Sequence, residues 1–453
     1  MLPEIEAFEP YIDEEGGIGF VIAMPGTPEN PGRIEVKSLN EWKAQDEKLG
    51  EALEQQARKL IKIFRFPSKP LVDDDDDDLQ TDIVRCLAEH IWIQDGRYYS
   101  ALGNAVICSW IRDLLATATR PCFYGPTKTG KSRALKCMAN LCYRGFNGIN
   151  PTGPSLFRMI ERYHVTVCID ESQGIQDEQK ADVNLIVKGG FEDGPGVPRV
   201  NEKGELDFFQ VYSSMILGAK RVPPEEDVQN RCLLICMSQK PPNSELGDRT
   251  IRRKIDLEGM ERLRGRLLAF RLRVMSGAID TQRFIKEAEE MAEKPILING
   301  KEVDLDDRSA DKAAELLVPG IIFKDCDGTL ELLAQSENDA NEGLLETFEA
   351  KGFYALQAVY APVSMKGDII KVCDPKTISI RDVKDQLATD LSQAGDEDEP
   401  PNTRAVGRIL RLLGFRFKQG HGRASMFDPD FFQQAYSAGI RKYGYRGGGE
   451  DAK

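Results

Sequence analysis

The sequence predicts an α/β protein built around a parallel sheet, and three observations carry that reading. Between Pro121 and about Ser238, short β-rich runs alternate with helical stretches, the pattern of a sheet covered on both faces. The first of these runs turns directly into "GPTKTGKS" and then into a helix. On either side of this core the apolar spacing becomes helical, and the chain closes on a helix, two short strands and a last helix.

The chain has 453 residues, of which 41% are hydrophobic, enough for real cores in about two to four domains. No N-terminal segment reads as a secretory leader, and no stretch reaches the roughly 18 apolar residues of a membrane helix, so a cytoplasmic protein with no membrane partner is expected. Ten cysteines lie scattered inside apolar runs such as "VTVCID" and "RCLLICM", without a C-x-x-C. That pattern reads as buried thiols in a reducing compartment rather than disulfides or a zinc site. The net charge of -14 argues against a surface that coats nucleic acid.

Residues 1–72 combine alternating runs, "GGIGFVIAM" and "GRIEVKSL", with one helical pattern from Leu39 to Phe64, and read as a small α+β region without catalytic signature. The six aspartates Asp73 to Asp78 read as a solvated linker at 73–78. Two helical patterns fill 79–120. Within 121–275 the strands are expected at "PCFYG", "VTVCID", "SMILGA" and "RCLLICM". An Arg-rich helix from Thr250 to Met275 follows, with Met260, Leu263, Leu267, Phe270 and Val274 on one stripe and Arg262, Arg266 and Arg273 on other faces. Residues 276–376 read as helical and partly acidic, and 377–446 as helix, polar loop, helix, hairpin and helix.

Gly125-Pro126-Thr127-Lys128-Thr129-Gly130-Lys131-Ser132 fits G-x-x-x-x-G-K-[ST], with the strand "CFY" before it and the helix "SRALKCMANLCY" after it. Glycine permits the backbone to turn its N–H groups on phosphate oxygens, and the helix presents its positive end to them. Lys131 is expected to reach the β and γ phosphates of ATP, Ser132 to ligate magnesium, and Arg133 to complete the nucleotide contacts. The strand "VTVCID" ends in Asp170, a second magnesium ligand, followed by Glu171, which can polarise attacking water. An Asp-Glu pair after a strand is by itself more often a helix cap; the upstream loop is what tips it to hydrolysis. Arg231, just before the last core strand, suits an arginine finger that reaches a neighbour's γ-phosphate, which requires a ring or filament.

The order "GPTKTGKSR", "SLFRMIE", "TVCIDES", "VYSSMILGAKRVPPEEDVQNRCLLICM" resembles the AAA+ ATPase domains of phage, plasmid and mobile-element replication helicases and primase-helicases, related to superfamily three helicases, over roughly residues 80 to 275. The resemblance implies a five-stranded parallel sheet with a helical lid, hexamers, and ATP hydrolysis that drives movement on single-stranded or forked DNA. No primase domain is recognisable upstream, so priming is not expected. The segment "GPGVPRVNEKGELDFFQVY" reads as a β-hairpin with its turn at Glu202-Lys203-Gly204. In related helicases a hairpin at this place grips single-stranded DNA, which makes Lys203 and Arg199 candidates for contact.

From Arg404 to Lys453 ten basic residues face four acids, a net of +6 in an acidic chain. Arg404, Arg408 and Arg411 share one helix face, and Lys418 and Arg423 lie near the tip of the following hairpin. Helix then basic-tipped hairpin is the layout of a winged helix, which lays the helix in the major groove and the wing on the adjacent backbone. The competing class is an ATP-switched regulator of a defence or transposition complex, which assembles on DNA or protein without unwinding.

Overall fold

The computed structural model describes residues 8–13, 15–24, 33–70, 77–148, 152–170, 185–194, 196–200, 203–223, 225–239, 251–298, 301–326, 328–335, 348–361, 372–394, 402–419 and 425–443. Glu171, Arg423 and the run Asp73 to Asp76 lie outside the described residues. The chain forms two compact units, Met1–Gln335 and Ser336–Lys453. No helix among the described residues is long and apolar enough to cross a membrane.

The first unit opens with an antiparallel meander, β1 (Phe8–Ile12), β2 (Ile18–Met24) and β3 (Arg33–Ser38), followed by α1 (Leu39–Gln45) and α2 (Glu47–Leu60). The single helical run expected here is broken at Asp46. Its backbone is extended, and its carboxylate caps α2 through the Leu49 N–H, a job for which aspartate is well suited. Helices α3 (Leu79–His90) and α4 (Arg97–Ile111) then form the expected pair.

The core sheet consists of β4 (Arg120–Tyr124), β5 (Gly145–Asn147), β6 (Thr166–Asp170), β9 (Met215–Ala219) and β10 (Cys232–Cys236), in the order β10-β4-β9-β6-β5. Every pairing is parallel. Four of these strands are the expected apolar runs, buried on both faces as parallel strands must be. The fifth, β5, is three residues long and half exposed, too short to show in the sequence. A separate antiparallel ribbon, β7 (Val197–Val200) and β8 (Leu206–Phe209), sits between β6 and β9 in the chain, where the hairpin was expected. Helices α5 (Lys131–Leu141) and α6 (Gly153–Tyr163) and the short turn α7 (Glu226–Gln229) connect the strands. Because β9 is inserted between β4 and β6, the loop after β4 and the acid at the end of β6 face one another across the end of β9, the kind of crevice in which α/β sheets bind ligands.

Helix α8 (Leu257–Met275) buries Met260, Leu267, Phe270 and Val274 as its stripe requires. It also buries two arginines that the stripe left unassigned. Arg264 donates to the carbonyls of Asn140 (2.5 Å) and Phe66 (3.2 Å). Arg271 pairs with Asp113 (2.7 Å) and Glu9 (3.6 Å), and Glu9 also holds Arg144 at 3.2 Å and accepts from the Tyr143 hydroxyl. The N-terminal meander is thereby built into the same unit as the core sheet. Tyr11 and Val21 share the apolar cluster of α3, α4 and α8, while Phe20, Trp42 and Phe64 share that of Val167 and Ile169.

After α8 come α9 (Thr281–Ala292), a hairpin of β11 (Ile296–Ile298) and β12 (Lys301–Val303) in a region expected to be helical, and α10 (Asp307–Phe323). Helix α10 delivers buried Glu315 to the entrance of β4, where it accepts from the Thr119 hydroxyl (2.6 Å), the Thr119 N–H and the Thr117 hydroxyl (3.4 Å). Burial pushes this carboxyl up to about 7, against those hydrogen bonds and the nearby Arg120 guanidinium, which favour its charged form. The folded protein therefore holds the proton more tightly than the unfolded chain, whose carboxyl titrates near 4.5. The resulting contribution, roughly 3 kcal/mol, is complete below about pH 4.5 and is lost as pH rises to about 7. Glu315→Gln keeps an acceptor for Thr119 but cannot ionise, so its melting temperature is expected to lose the decline that the wild type shows across this window. Parallel curves for the two proteins would refute the assignment.

The second unit contains α11 (Phe348–Tyr360), α12 (Ile380–Ala394), α13 (Thr403–Leu412), a hairpin of β13 (Phe417–Gln419) and β14 (Ser425–Phe427), and α14 (Pro429–Tyr443). The two helices, the paired strands and the closing helix expected from residue 377 onward are present in their expected order, while residues 395–401 and 420–424 lie outside the described residues. Ser379 adds a bridge to Met426, giving the hairpin a third chain segment. Phe353, Val383, Val406, Leu410, Phe415, Phe427 and Phe432 form the core, with Phe432 stacked on Tyr436.

Candidate phosphate-binding site

The loop from Gly125 to Gly130 joins the end of β4 to the start of α5. Gly125 has φ of 144°, and a Cβ there would stand 2.4 Å from the Met237 carbonyl oxygen, so no other residue fits without moving β10's continuation. Gly130, with φ of 97°, occupies the N-cap of α5 and hands the chain into the helix. Thr129 donates to the Pro126 carbonyl (2.9 Å) and pins the curl from inside, whereas Pro126, Thr127 and Lys128 are exposed. Lys128 also lies at positive φ, 67°. The loop thus ends at a helix terminus whose first N–H groups lack partners within the helix.

Lys131 is buried, and its ammonium bends back over the loop to donate to the carbonyls of Gly125 (2.8 Å) and Pro126 (2.5 Å). Burial lowers its pKa; the Asp170 carboxylate opposes that shift and Lys220, one residue past β9, adds to it. Ser132 donates its hydroxyl to Asp170 Oδ2 at 2.5 Å. Residues from α5 and β6, 38 positions apart, are thereby brought together across the end of β9. Gly218 keeps the space open: a Cβ there would lie 2.7 Å from Leu135 and 3.4 Å from Asp170 Oδ1. Ser132 and Asp170 are hard oxygen donors of the kind magnesium takes. Among the described residues no group of three His, Cys, Asp or Glu side chains could hold a metal, so an ion here would draw the rest of its shell from phosphate and water.

Arg133 is the loop-helix residue whose side chain goes elsewhere. Its guanidinium donates to the carbonyls of His90 (2.6 Å), Arg253 (3.0 Å) and Arg252. Arg231 lies at the other end of the sheet. It precedes Cys232, which pairs with Arg120 at the start of β4, while the loop follows Tyr124, which pairs with Cys236. A strand length of roughly 15 Å therefore separates it from the loop of its own chain. Its Nη1 donates to the Asp227 carbonyl at 2.6 Å, which fixes it on the turn α7. Arg262 pairs with Glu258 at 2.9 Å on the surface of α8.

Lys203 is exposed at the turn of the β7–β8 ribbon, beside Gly204 with φ of 80°. Arg199 stacks its guanidinium on Phe157 at 4.6 Å and, with Phe157, Arg158, Lys203, Asp207 and Phe209, lines a groove of about 430 Å³. The ribbon also carries exposed apolar side chains, with Val200, at the rim of that groove, Leu206 and Phe208 being 70%, 60% and 61% exposed. In the second unit Arg404 and Arg411 are exposed on α13, and Arg411 also lies over the Phe417 ring at 5.4 Å. Arg408 lies between them on the same helix, its side chain outside the description. Lys418 sits in β13 and is held by Asp428 (2.8 Å) and Asp430 (3.3 Å), which raise its pKa.

No family model matches the sequence, and no curated protein does. Among solved structures, the chain is similar to SCCmec type IV Cch, described as an active helicase, at 11% identity over 95% of this chain and 94% of that one, with a TM-score of 0.38. It is similar to the NrS-1 C-terminal region at 11% identity over 93% of this chain and 96% of that one, with a TM-score of 0.33. The JCV helicase is similar at 14% identity over 48% of this chain and 64% of that one, with a TM-score of 0.26. At these identities and TM-scores the reading of the site rests on the residues of this chain.

Proposed function

We propose that the protein hydrolyses ATP with magnesium as an oligomeric AAA+ motor on DNA, a replicative helicase-like ATPase of a mobile element. The observation that carries this reading is the convergence of Lys131, Ser132 and Asp170 on a glycine-shaped loop at the head of α5. In this reading the loop N–H groups and the positive end of α5 hold the phosphates, and Lys131 meets the charge of the β and γ groups. Ser132 and Asp170 hold magnesium, which when bound neutralises charge on the transferred phosphoryl group. Glu171, next after Asp170, is assigned the attacking water.

Arg231 stands a full strand length from its own loop, which supports a role at a neighbouring subunit's site and hence a ring, hexameric on the resemblance. Helices α8 to α10 are assigned to the lid. Residues 377–446 of the second unit are assigned to a winged helix on DNA, with Arg404, Arg408 and Arg411 on the reading helix and Arg423 in the wing. Lys418 can join them only by exchanging Asp428 and Asp430 for phosphate. Arg199 and Lys203 are assigned to single-stranded DNA.

A second reading, an ATP-switched regulator of a defence or transposition complex that assembles without unwinding, is favoured by the exposed apolar side chains of the β7–β8 ribbon, which suit a protein partner better than phosphate. ATP turnover with and without single-stranded and forked DNA, measured beside oligomer mass and strand separation, discriminates them. Turnover raised by DNA together with unwinding is the expected result. ATP-dependent assembly without unwinding selects the regulator, and the absence of turnover and of ATP-dependent assembly under every condition rejects both.

A further inference from the structure

Lys131 and Arg133 stand two residues apart in the first turn of α5, about 200° around the helix from one another, so one faces the loop and the other faces away. The outward one meets a knot of polar contacts. Arg133 Nε donates to the carbonyl of His90, the last residue of α3, and its two terminal nitrogens donate to the carbonyls of Arg252 and Arg253. Those two segments are also tied to each other. The Arg252 N–H donates to the Glu89 carbonyl (2.8 Å), and the Arg252 guanidinium pairs with Glu89 (2.8 Å) and Asp256 (3.1 Å).

The His90 ring closes the knot. Its Nδ1 donates to the Cys86 carbonyl at 2.7 Å, and its Nε2 accepts the Asp256 N–H at 3.0 Å. Asp256 in turn caps α8 through the Gly259 N–H at 2.9 Å. An unbroken set of hydrogen bonds therefore runs from the turn that carries Lys131 and Ser132 to the first turn of α8.

We infer that Arg133 is a positioning residue that couples the nucleotide loop to the N-terminus of α8, so that the first turn of α5 and the start of α8 move as one piece when phosphate is bound. The inference rests on the reading of Gly125 to Ser132 as a nucleotide loop. Three carbonyls in a fan match the planar guanidinium, whose five N–H donors are fixed in one fork; an ammonium in its place can satisfy only part of the set. A free charge intended for phosphate would not be spent on three backbone oxygens turned away from the loop.

The test combines steady-state kinetics with hydrogen exchange in residues 251–262, each with and without ATP and magnesium. In the wild type, ATP is expected to slow exchange in this segment. Arg133→Gln should lose that response, with kcat lower by about tenfold and KM within about twofold of wild type, the split expected when positioning rather than binding is lost. Arg133→Lys should fall between the two, and it carries the test if the glutamine variant fails to fold. An ATP response in Arg133→Gln equal to wild type overturns the inference. So does a KM raised about tenfold with the exchange response intact, which would make Arg133 a phosphate ligand. A wild type that binds no ATP overturns the nucleotide reading itself, an outcome recognisable before any Arg133 variant is made.

Discussion

Lys131→Ala is expected to reduce ATP turnover by about a hundredfold or more, the scale on which single charge-stabilising groups act at transferring phosphoryl centres. The ammonium is held in the curl of the loop by the Gly125 and Pro126 carbonyls, so its loss removes both the positive charge and an internal brace. Two readouts separate these effects. Loss of ATP binding with an unchanged melting temperature assigns the defect to charge, while a lowered melting temperature assigns part of it to the brace. Asp170→Asn complements the test, since an amide can still accept from Ser132 but holds magnesium poorly. That variant should bind ATP and need far more magnesium for any turnover. Wild-type turnover in both variants would remove this site from the chemistry.

Arg231→Ala should be at least as severe, because an arginine acting on the γ-phosphate is worth about 10³ to 10⁵ in rate. The distinctive result lies in mixtures. Arg231 stands at the opposite end of the parallel sheet from the loop of its own chain, so Arg231→Ala subunits keep an intact loop and Lys131→Ala subunits keep an intact arginine. Mixed together, the two inactive proteins should recover measurable turnover at interfaces that pair the good halves. Absence of recovery, with a monomer on sizing in ATP, would eliminate a shared site and leave Arg231 as a cap on the turn that ends at Gln229.

The parts of the fold legible in the sequence were those whose cause is local. Four core strands announced themselves as short apolar runs because both faces of a parallel strand are buried, and the glycine-lysine-serine spacing reported a backbone shape that few other residues can take. The break at Asp46 had a visible signal, a good capping residue inside a helical run. Where a partner comes from far along the chain, the sequence was silent. The apolar stripe left Arg264 and Arg271 unassigned, and their partners Phe66 and Glu9 lie about two hundred residues or more upstream. Arg133 followed the motif directly and so was assigned to phosphate; its direction is set by the carbonyls of Arg252 and Arg253, which no spacing rule connects to it.

The ion cluster of Glu9, Arg144 and Arg271 has a consequence for how the protein is made. Glu9 is synthesised before the core strands and Arg271 only after them, on the order of tens of seconds later at synthesis rates of about 5 to 20 residues per second. Until then the meander's Glu9 lacks one of its two arginines, and Tyr11 and Val21 lack the part of their apolar cluster that the later helix supplies. The meander is thus made early relative to the helix that completes its ion cluster, and over that interval the nascent chain presents a partly unsatisfied sheet, a natural point of engagement for chaperones.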